Sequence, residues 1–334
     1  MAYEPKFTIT PKLLGLVESI AAVRERIQAA AVEVAWIPAL QKDTRARNAH
    51  SSTAIEGNPL TLEQVRAVEE QGTILPLPTR SQREVIGYFA GLRYIQKFAT
   101  KKAVTHAEVC RLHMLIAGDV MDQGKAGVYR DVEVRVGPYL PPKAREVKGL
   151  MADLLQWWNT KGAELSPVLS QGIIHYRFES IHPFADGNGR TGRTLALWEL
   201  YRRGFDSHHI FSTDEFYWED RPRYYRELQA VRERGENLTG FLEYCSEGLL
   251  MTLTRVWHRV QQLSVTKGKT KLLLRPKQEQ VLFLLKAQGG MTPRQIWEAL
   301  GVSKQGALDT LRPLMKAGLI KRVGTQKNGR YVLK

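Results

Sequence analysis

His182 to Arg193 read His-Pro-Phe-Ala-Asp-Gly-Asn-Gly-Arg-Thr-Gly-Arg, placing a base, a carboxylate, three glycines and two arginines within twelve residues. That density suits the handling of phosphate. Gly187, Gly189 and Gly192 carry no Cβ, so backbone N–H groups can approach an anion closely. The apolar run Thr194 to Tyr201 then reads as a helix, and a loop feeding a helix N-terminus offers unpaired N–H donors at a positive dipole end. Arg190 and Arg193, three apart, fall near one helix face, where their guanidinium forks can grip phosphate oxygens. Asp186 is the only acid of the stretch and suits a hard divalent cation such as Mg2+. His182 is naturally neutral and basic near pH 7, fit to take a proton from an attacking hydroxyl.

The stretch resembles the signature of the Fic family, His-Pro-Phe-x-(Asp or Glu)-Gly-Asn-Gly-Arg-x-x-Arg, and meets every fixed position. The likeness runs upstream through Pro167 to Ile181 and downstream to Arg221 to Val231, about 240 residues in all, leaving the C-terminal quarter outside. It implies transfer of AMP from ATP to a hydroxyl of a target protein, with pyrophosphate leaving. On that resemblance His182 is the general base toward a target Ser, Thr or Tyr, and Asp186 binds the Mg2+ that bridges the α- and β-phosphates. Gly187, Asn188 and Gly189 form the anion cradle and Arg190 supports it. Thr191 and Gly192 belong to the same nucleotide-binding loop, and Arg193 reaches the γ-phosphate. Such transfer depends mostly on positioning and charge neutralisation around an in-line attack. Phe184 reads as the loop's anchor in the core.

Ser52-Thr53-Ala54-Ile55-Glu56-Gly57-Asn58 is similar to the family's inhibitory motif, (Ser or Thr)-x-x-x-Glu-(Gly or Asn), here N-terminal to the core. Ser52 and Glu56 are spaced i, i+4 on one helix face, and Gly57 or Asn58 supplies a left-handed stop. Paired with Arg193, Glu56 would occupy the donors that a γ-phosphate needs and would repel that phosphate. The family also suggests that Glu56 orients water for removing AMP; the sequence does not separate restraint from reversal. Asp131 to Pro142, in which Val132, Val134 and Val136 alternate with polar residues before Gly137-Pro138, reads as a strand and turn. It looks like the family's flap, a short hairpin that adds a strand to an extended target peptide. On that match Val136, Gly137, Pro138 and Tyr139 border the nucleotide or the target. Tyr224 and Tyr225 resemble the family's adenine-side tyrosines, although a Tyr-Tyr pair on a helix also suits core packing; Arg232 stands where some members carry Asn.

The elements that position these residues read as helices. Leu13 to Trp36, Leu62 to Glu70, Gln82 to Phe98, His106 to Ile116 and Val147 to Trp158 show apolar spacing of three to four, and Thr61 with Gln64 forms a capping-box pattern. Gly72 to Pro78 and Gly137 to Pro142 read as connectors. The expected fold is mainly α, a Fic-type helical bundle with a short β-hairpin flap, followed by a small winged-helix domain. Cys110 and Cys245 lie far apart without metal spacing, which fits a reducing cytosol. The N-terminus lacks a signal-peptide pattern, and no run approaches the ~18 apolar residues of a membrane span. A soluble, cytoplasmic protein without membrane contact is the expectation.

The net charge of +15 is not spread evenly. Residues 251–334 hold 17 Lys plus Arg against 3 Asp plus Glu, whereas the preceding 250 hold 32 against 31. The excess therefore belongs to a separate C-terminal module, beyond a basic linker at Ser264 to Lys271. Lys277 to Ala287, Thr292 to Leu300 and Lys304 to Ala317 read as three helices, the second capped by Thr292 with Pro293 at its first position. Two strand-like runs, "LIKRV" and "GRYVL", follow around "GTQKN". This resembles a winged helix-turn-helix, with Ser303, Lys304, Gln305 and Thr310 on the recognition helix and Lys327, Asn328 and Arg330 on the wing. Pro313 sits awkwardly within that helix.

The expected domains are an N-terminal helical region with the inhibitory motif (1–104), the catalytic core (105–250), a basic helix and linker (251–274) and the winged helix (275–334). The partners read are ATP, Mg2+, a hydroxyl-bearing target protein and, through 275–334, DNA or a docked protein, with a second copy of the chain left open. Alternatives are a different nucleotide or phosphate donor, chief activity in removing AMP, or a transcription regulator whose catalytic fold senses a ligand.

Overall fold

The computed structural model describes residues 3–29, 37–71, 79–206, 208–264, 276–316, 318–324 and 329–334. The chain divides into two compact units, Met1–Ala29 with Gln41–Trp257, and Ala30–Leu40 with His258–Lys334.

Helices follow one another as α1 (Pro11–Ala29), α2 (Ile37–Ile55), α3 (Leu62–Gln71), α4 (Arg80–Lys97), α5 (His106–Ala117), α6 (Ala144–Asn159) and the single turn α7 (Lys161–Glu164). Then come α8 (Pro167–Ile181), α9 (Asn188–Arg202), α10 (Asp214–Glu219), α11 (Arg221–Glu233) and α12 (Thr239–Ser264). The first unit is built around α8, whose residues from Val168 to Ile181 are buried on every face except at Arg177. A helix with no polar stripe belongs in the middle of a core. It starts cleanly because Ser166 caps it and Pro167 occupies the first turn, where a missing N–H costs nothing. It packs most extensively on α9, with α6 on its flank, while α4 and α5 pack on each other and on α9.

Polar contacts fix the far end of α9. Glu199, 1% exposed, accepts from Trp158 Nε1 at 2.5 Å and Ser170 Oγ at 2.7 Å, and Arg202 and Arg203 balance its charge at 3.4 and 3.2 Å. A buried carboxylate with this many donors holds its helix in register. The expected helices from Leu62 onward appear within a few residues of their anticipated ends, and the Thr61–Gln64 capping box is present. Expected positions 30–36, 72–78 and 265–271 lie outside the described residues. The period-two run 131–136 yields no strand, only an antiparallel bridge between Val136 and Tyr139. A strand needs a ladder partner, and past this bridge the backbone of Arg130 instead bonds Pro183.

The second unit contains α13 (Pro276–Gln288), α14 (Pro293–Ala299), α15 (Lys304–Lys316), β1 (Ile320–Val323) and β2 (Arg330–Leu333). The strands pair antiparallel, Ile320 opposite Leu333 and Val323 opposite Arg330, and Met291 bridges Tyr331. Val281, Leu285, Ile296, Leu311, Leu314 and Ile320 make its core. Thr292 caps α14 with Pro293 in its first turn, and α15 continues through Pro313. Lys327 and Asn328 of the expected wing lie outside the described residues. Among the described residues no helix is long and apolar enough to cross a membrane.

Candidate active site

The site forms where α8 stops and α9 begins. Pro183 disfavours the helical conformation at the residue before it, and His182 leaves α8 in the left-handed region, at φ 50° and ψ 62°, its N–H still bonded to the Phe178 carbonyl. Arg130 caps the exposed carbonyls. Its Nε donates to His182 O at 2.8 Å, and its other nitrogens reach Val132 O at 3.0 Å and Pro142 O at 2.5 Å. One buried guanidinium therefore ties the helix end to the flap segment, as expected for a cation at a helix C-terminus.

The loop that follows is locked from inside. Asn188 brackets it with two hydrogen bonds to the backbone of Phe184, at 2.9 and 2.8 Å. The Phe184 ring is fully buried and stacks on His113 at 3.7 Å between centroids. His113 Nδ1 accepts from Gly127 N at 2.9 Å, so its Nε2 carries the hydrogen that meets Asp186 O at 2.9 Å. Burial draws His113 down to about 4, so it stays neutral. The three glycines have three separate reasons. Gly187 adopts φ 76°, a conformation open to glycine at little cost. A side chain at Gly189 would collide with Glu56 Oε1, and one at Gly192 with Glu179 Oε1.

The first turn of α9 presents the donors an anion site needs. Gly187 N–H is already bonded to Asp186 Oδ1 at 2.6 Å and Thr191 N–H to Gly187 O at 3.1 Å, so Asn188, Gly189 and Arg190 lead with amides that a helix start leaves without intrahelical partners. Thr191 and Gly192 make contacts within the fold: the Thr191 hydroxyl returns to Gly187 O at 2.8 Å, and Gly192 packs on Phe178 and Glu179. Arg190 is 4% exposed, yet its Nε and Nη1 have no hydrogen-bond partner; only Asp186 Oδ1 stands nearby, 3.9 Å from Nη2. Buried donors without partners mark a place for an anion. The Asp186 carboxylate is about a third exposed beside these donors. One carboxylate next to a phosphate-binding surface fits Mg2+, which favours a few carboxylate ligands with phosphate and water.

Arg193, 2% exposed, faces α2. Its Nε donates to Ser52 Oγ at 2.9 Å and its Nη2 to Ser52 O at 2.8 Å and Glu56 Oε1 at 2.7 Å. Helix α2 ends at Ile55, and Gly57 at φ 95° turns the chain, so the Glu56 carboxylate lies over Gly189 at the mouth of the anion site. Burial pulls the His182 imidazole down to about 4, helped by Arg130 and Arg232 and opposed by the Glu179 backbone and Glu56. Its Nδ1 has no hydrogen-bond partner. A neutral imidazole can accept a proton. Burial pushes the nearby Glu179 carboxyl up to about 7.

The flap closes the other side. Val136 and Tyr139 exchange two backbone hydrogen bonds at 3.0 and 2.9 Å around Gly137-Pro138, and Tyr139 Oη donates to Ser180 O at 2.8 Å. Arg232 lies 3.6 Å from the centre of the Tyr139 ring, joining the flap to α11. The two tyrosines of α11 differ. Tyr224 is buried, with its hydroxyl on His175 Nε2 at 2.9 Å and its ring near Arg193. Tyr225 is 40% exposed, with its hydroxyl toward Ile55 O. Sequence reasoning passed over His113 and Arg130, which orient the loop without touching its open side. The signals were faint, a histidine on the apolar face of α5 and an arginine just before the flap.

This fold and site define a helical bundle that presents a base and an anion-binding helix start from one loop. A model of the Fic/DOC family matches residues 103–200, and one of the MarR family matches residues 274–330. A crystal structure of a Fic family protein from Desulfovibrio desulfuricans G20 is similar over 99% of this chain and 98% of that one, with 30% identity and a TM-score of 0.67. Residues 134–508 of Fic-1 from C. elegans follow at 26% identity and TM-score 0.64, over 75% of this chain and 73% of that one. The chain belongs to the Fic family and carries a MarR-type winged helix at its C-terminal end. Among curated relatives, the protein adenylyltransferase fic-1 of Caenorhabditis briggsae is 33% identical over 171 residues, 50% of this chain. The chain spans only 34% of the length of that relative.

Proposed function

We propose that this chain transfers AMP from ATP to the hydroxyl of a Ser, Thr or Tyr on another protein, and that Glu56 restrains the reaction. The target oxygen attacks the α-phosphorus, the bond to the β-phosphate oxygen breaks, pyrophosphate leaves, and His182 takes the hydroxyl proton. Asn188, Gly189 and Arg190 line the anion cradle and Arg193 receives the γ-phosphate. Asp186 would hold Mg2+, which supplies charge neutralisation between the phosphates. The exposed ring of Tyr225 suits the adenine side, and Val136, Gly137, Pro138 and Tyr139 border the target.

The observation that carries this reading is the contact between Glu56 and Arg193 at 2.7 Å, lying over Gly189. An anion entering the first turn of α9 would compete with that carboxylate. The names of the adenylyltransferase relatives support AMP as the transferred group. In Glu56→Gly, ATP labelled at the α-phosphate is expected to label protein and ATP labelled at the γ-phosphate is not. Label from the γ-phosphate would replace AMP transfer with phosphate transfer.

For domains, 1–104 is read as the regulatory region, 105–250 as the catalytic core, 251–274 as a connector and 275–334 as the winged helix. Two free cysteines and the lack of a membrane-length helix among the described residues support placement in the cytoplasm. The winged helix is read as contacting DNA, because Ser303, Lys304 and Gln305 are exposed at the start of α15 and the region carries the chain's excess charge. Binding of the full chain to mixed duplex DNA is expected to weaken steeply with salt. Failure to bind at low salt would leave the module to protein docking.

A further inference from the structure

Arg193 is the cation that must change partners, and a buried guanidinium cannot stand alone while it does so. Its partners come from two places. Ser52 and Glu56 both belong to the α2 segment, so they can be withdrawn together. The other carboxylate within ion-pair distance is Asp214, at the start of α10, whose Oδ2 lies 3.8 Å from Arg193 Nε, while the buried Glu179 acts on Arg193 from farther off. Asp214 is 3% exposed and accepts the Tyr88 hydroxyl of α4 at 3.0 Å. Burial pushes its carboxyl up, against Arg193 and the hydroxyls of Ser52, Tyr88 and Thr213, which favour its charged form.

The guanidinium is thereby divided. Its Nε edge faces Ser52 Oγ and Asp214, while Nη2 meets Glu56 and Nη1 lies toward Gly189. We propose that Asp214 is a positioning residue for phosphate recognition, the permanent counter-ion that keeps Arg193 charged, buried and aimed at the anion site when Glu56 is displaced. The proposal rests on the reading that Arg193 receives the γ-phosphate. Asp214 touches no reacting atom and acts through Arg193, with Tyr88 holding it from behind.

The test uses full-length wild type, Glu56→Gly, Asp214→Asn and the double variant. Asn keeps the size of Asp and can still accept from Tyr88, so the change removes mainly charge. In the Glu56→Gly background Asp214→Asn is expected to weaken MgATP binding about tenfold, the scale of one charged hydrogen bond. MgADP, which has no γ-phosphate, should shift less than about twofold on the same scale. Melting temperatures form a cycle that needs no nucleotide, and Asp214→Asn should cost more when Glu56 is gone, because Arg193 then keeps no carboxylate within ion-pair distance. Should Asp214→Asn prove insoluble, Tyr88→Phe is expected to lower the ATP-to-ADP affinity ratio in the same direction by less.

Equal losses for ATP and ADP, or an equal thermal cost in both backgrounds, would overturn the role of Asp214. A Glu56→Gly protein that binds nucleotide yet transfers no AMP would instead refute the proposed activity. The thermal cycle decides on Asp214 in that case as well.

Discussion

The loop from His182 to Arg193 and the flap from Asp131 to Pro142 border one groove, yet they are held in opposite ways. The loop has hydrogen bonds from Asn188, a stack from His113 and a fully buried Phe184. The flap has a single backbone bridge and is otherwise tied by side chains, Arg130 to Val132 O and Pro142 O, Tyr139 to Ser180 O and Arg232 over the Tyr139 ring, with Val132 48% and Leu140 69% exposed beside it. Phosphate chemistry needs donors fixed before the substrate arrives, since reorganisation during reaction costs rate. A polypeptide target brings its own backbone, and an edge with unpaired groups can accept it. The difference teaches that the loop is packed into the core, whereas the flap is tied to the surface by a few side-chain contacts.

Removing the anchor should break the comparison most strongly. Phe184→Ala empties a fully buried ring site and is expected to cost about 3–5 kcal/mol, read as a large fall in melting temperature. Asn188→Ala removes two buried bonds to the Phe184 backbone and should cost about 1–3 kcal/mol, with MgATP binding weakened more than the fold.

A pH series sharpens the role assigned to the rigid side. With His182 at about 4, the transfer rate of Glu56→Gly is expected to stay level from about pH 8 to about 5, falling roughly tenfold per unit below the histidine's own value. The sign for stability follows. His113 and His182 bind protons less readily folded than unfolded, so stability is expected to drop as pH falls from about 6.5 toward about 4. A rate that instead breaks near pH 6.5 would mean that His182 is not held in this buried setting. The smallest effect belongs to the flap. Arg232→Ala frees Tyr139 of a contact worth about 0.5–1 kcal/mol and should raise hydrogen exchange at 136–139 with little change in MgATP affinity.

How much of this was legible in the sequence depended on how local each feature is. The loop, its helix start and the i, i+4 spacing of Ser52 and Glu56 occupy short runs, so their chemistry could be read directly. The winged helix was legible for the same reason, from a cap, a proline and a tight turn in order. Asp214, Arg130 and His113 were not, because each acts on the loop from 21 to 73 residues away, through tertiary contacts. The flap was overread: alternating valines signal strand geometry, but pairing is decided by a partner, and here the backbone offers only Tyr139. The contacts of Tyr224 with Arg193 and His175 were likewise not legible, since they join residues of different helices.

The central claim is that His182 performs AMP transfer under restraint by Glu56, and intact-mass analysis after incubation with ATP and Mg2+ tests it most directly. Wild type, Glu56→Gly and Glu56→Gly/His182→Ala would be compared, with self-modification as the readout. One or more AMP adducts are expected on Glu56→Gly, with little on wild type and none on the double variant. Adducts of equal abundance on wild type and Glu56→Gly, or adducts that persist without His182, would contradict the account.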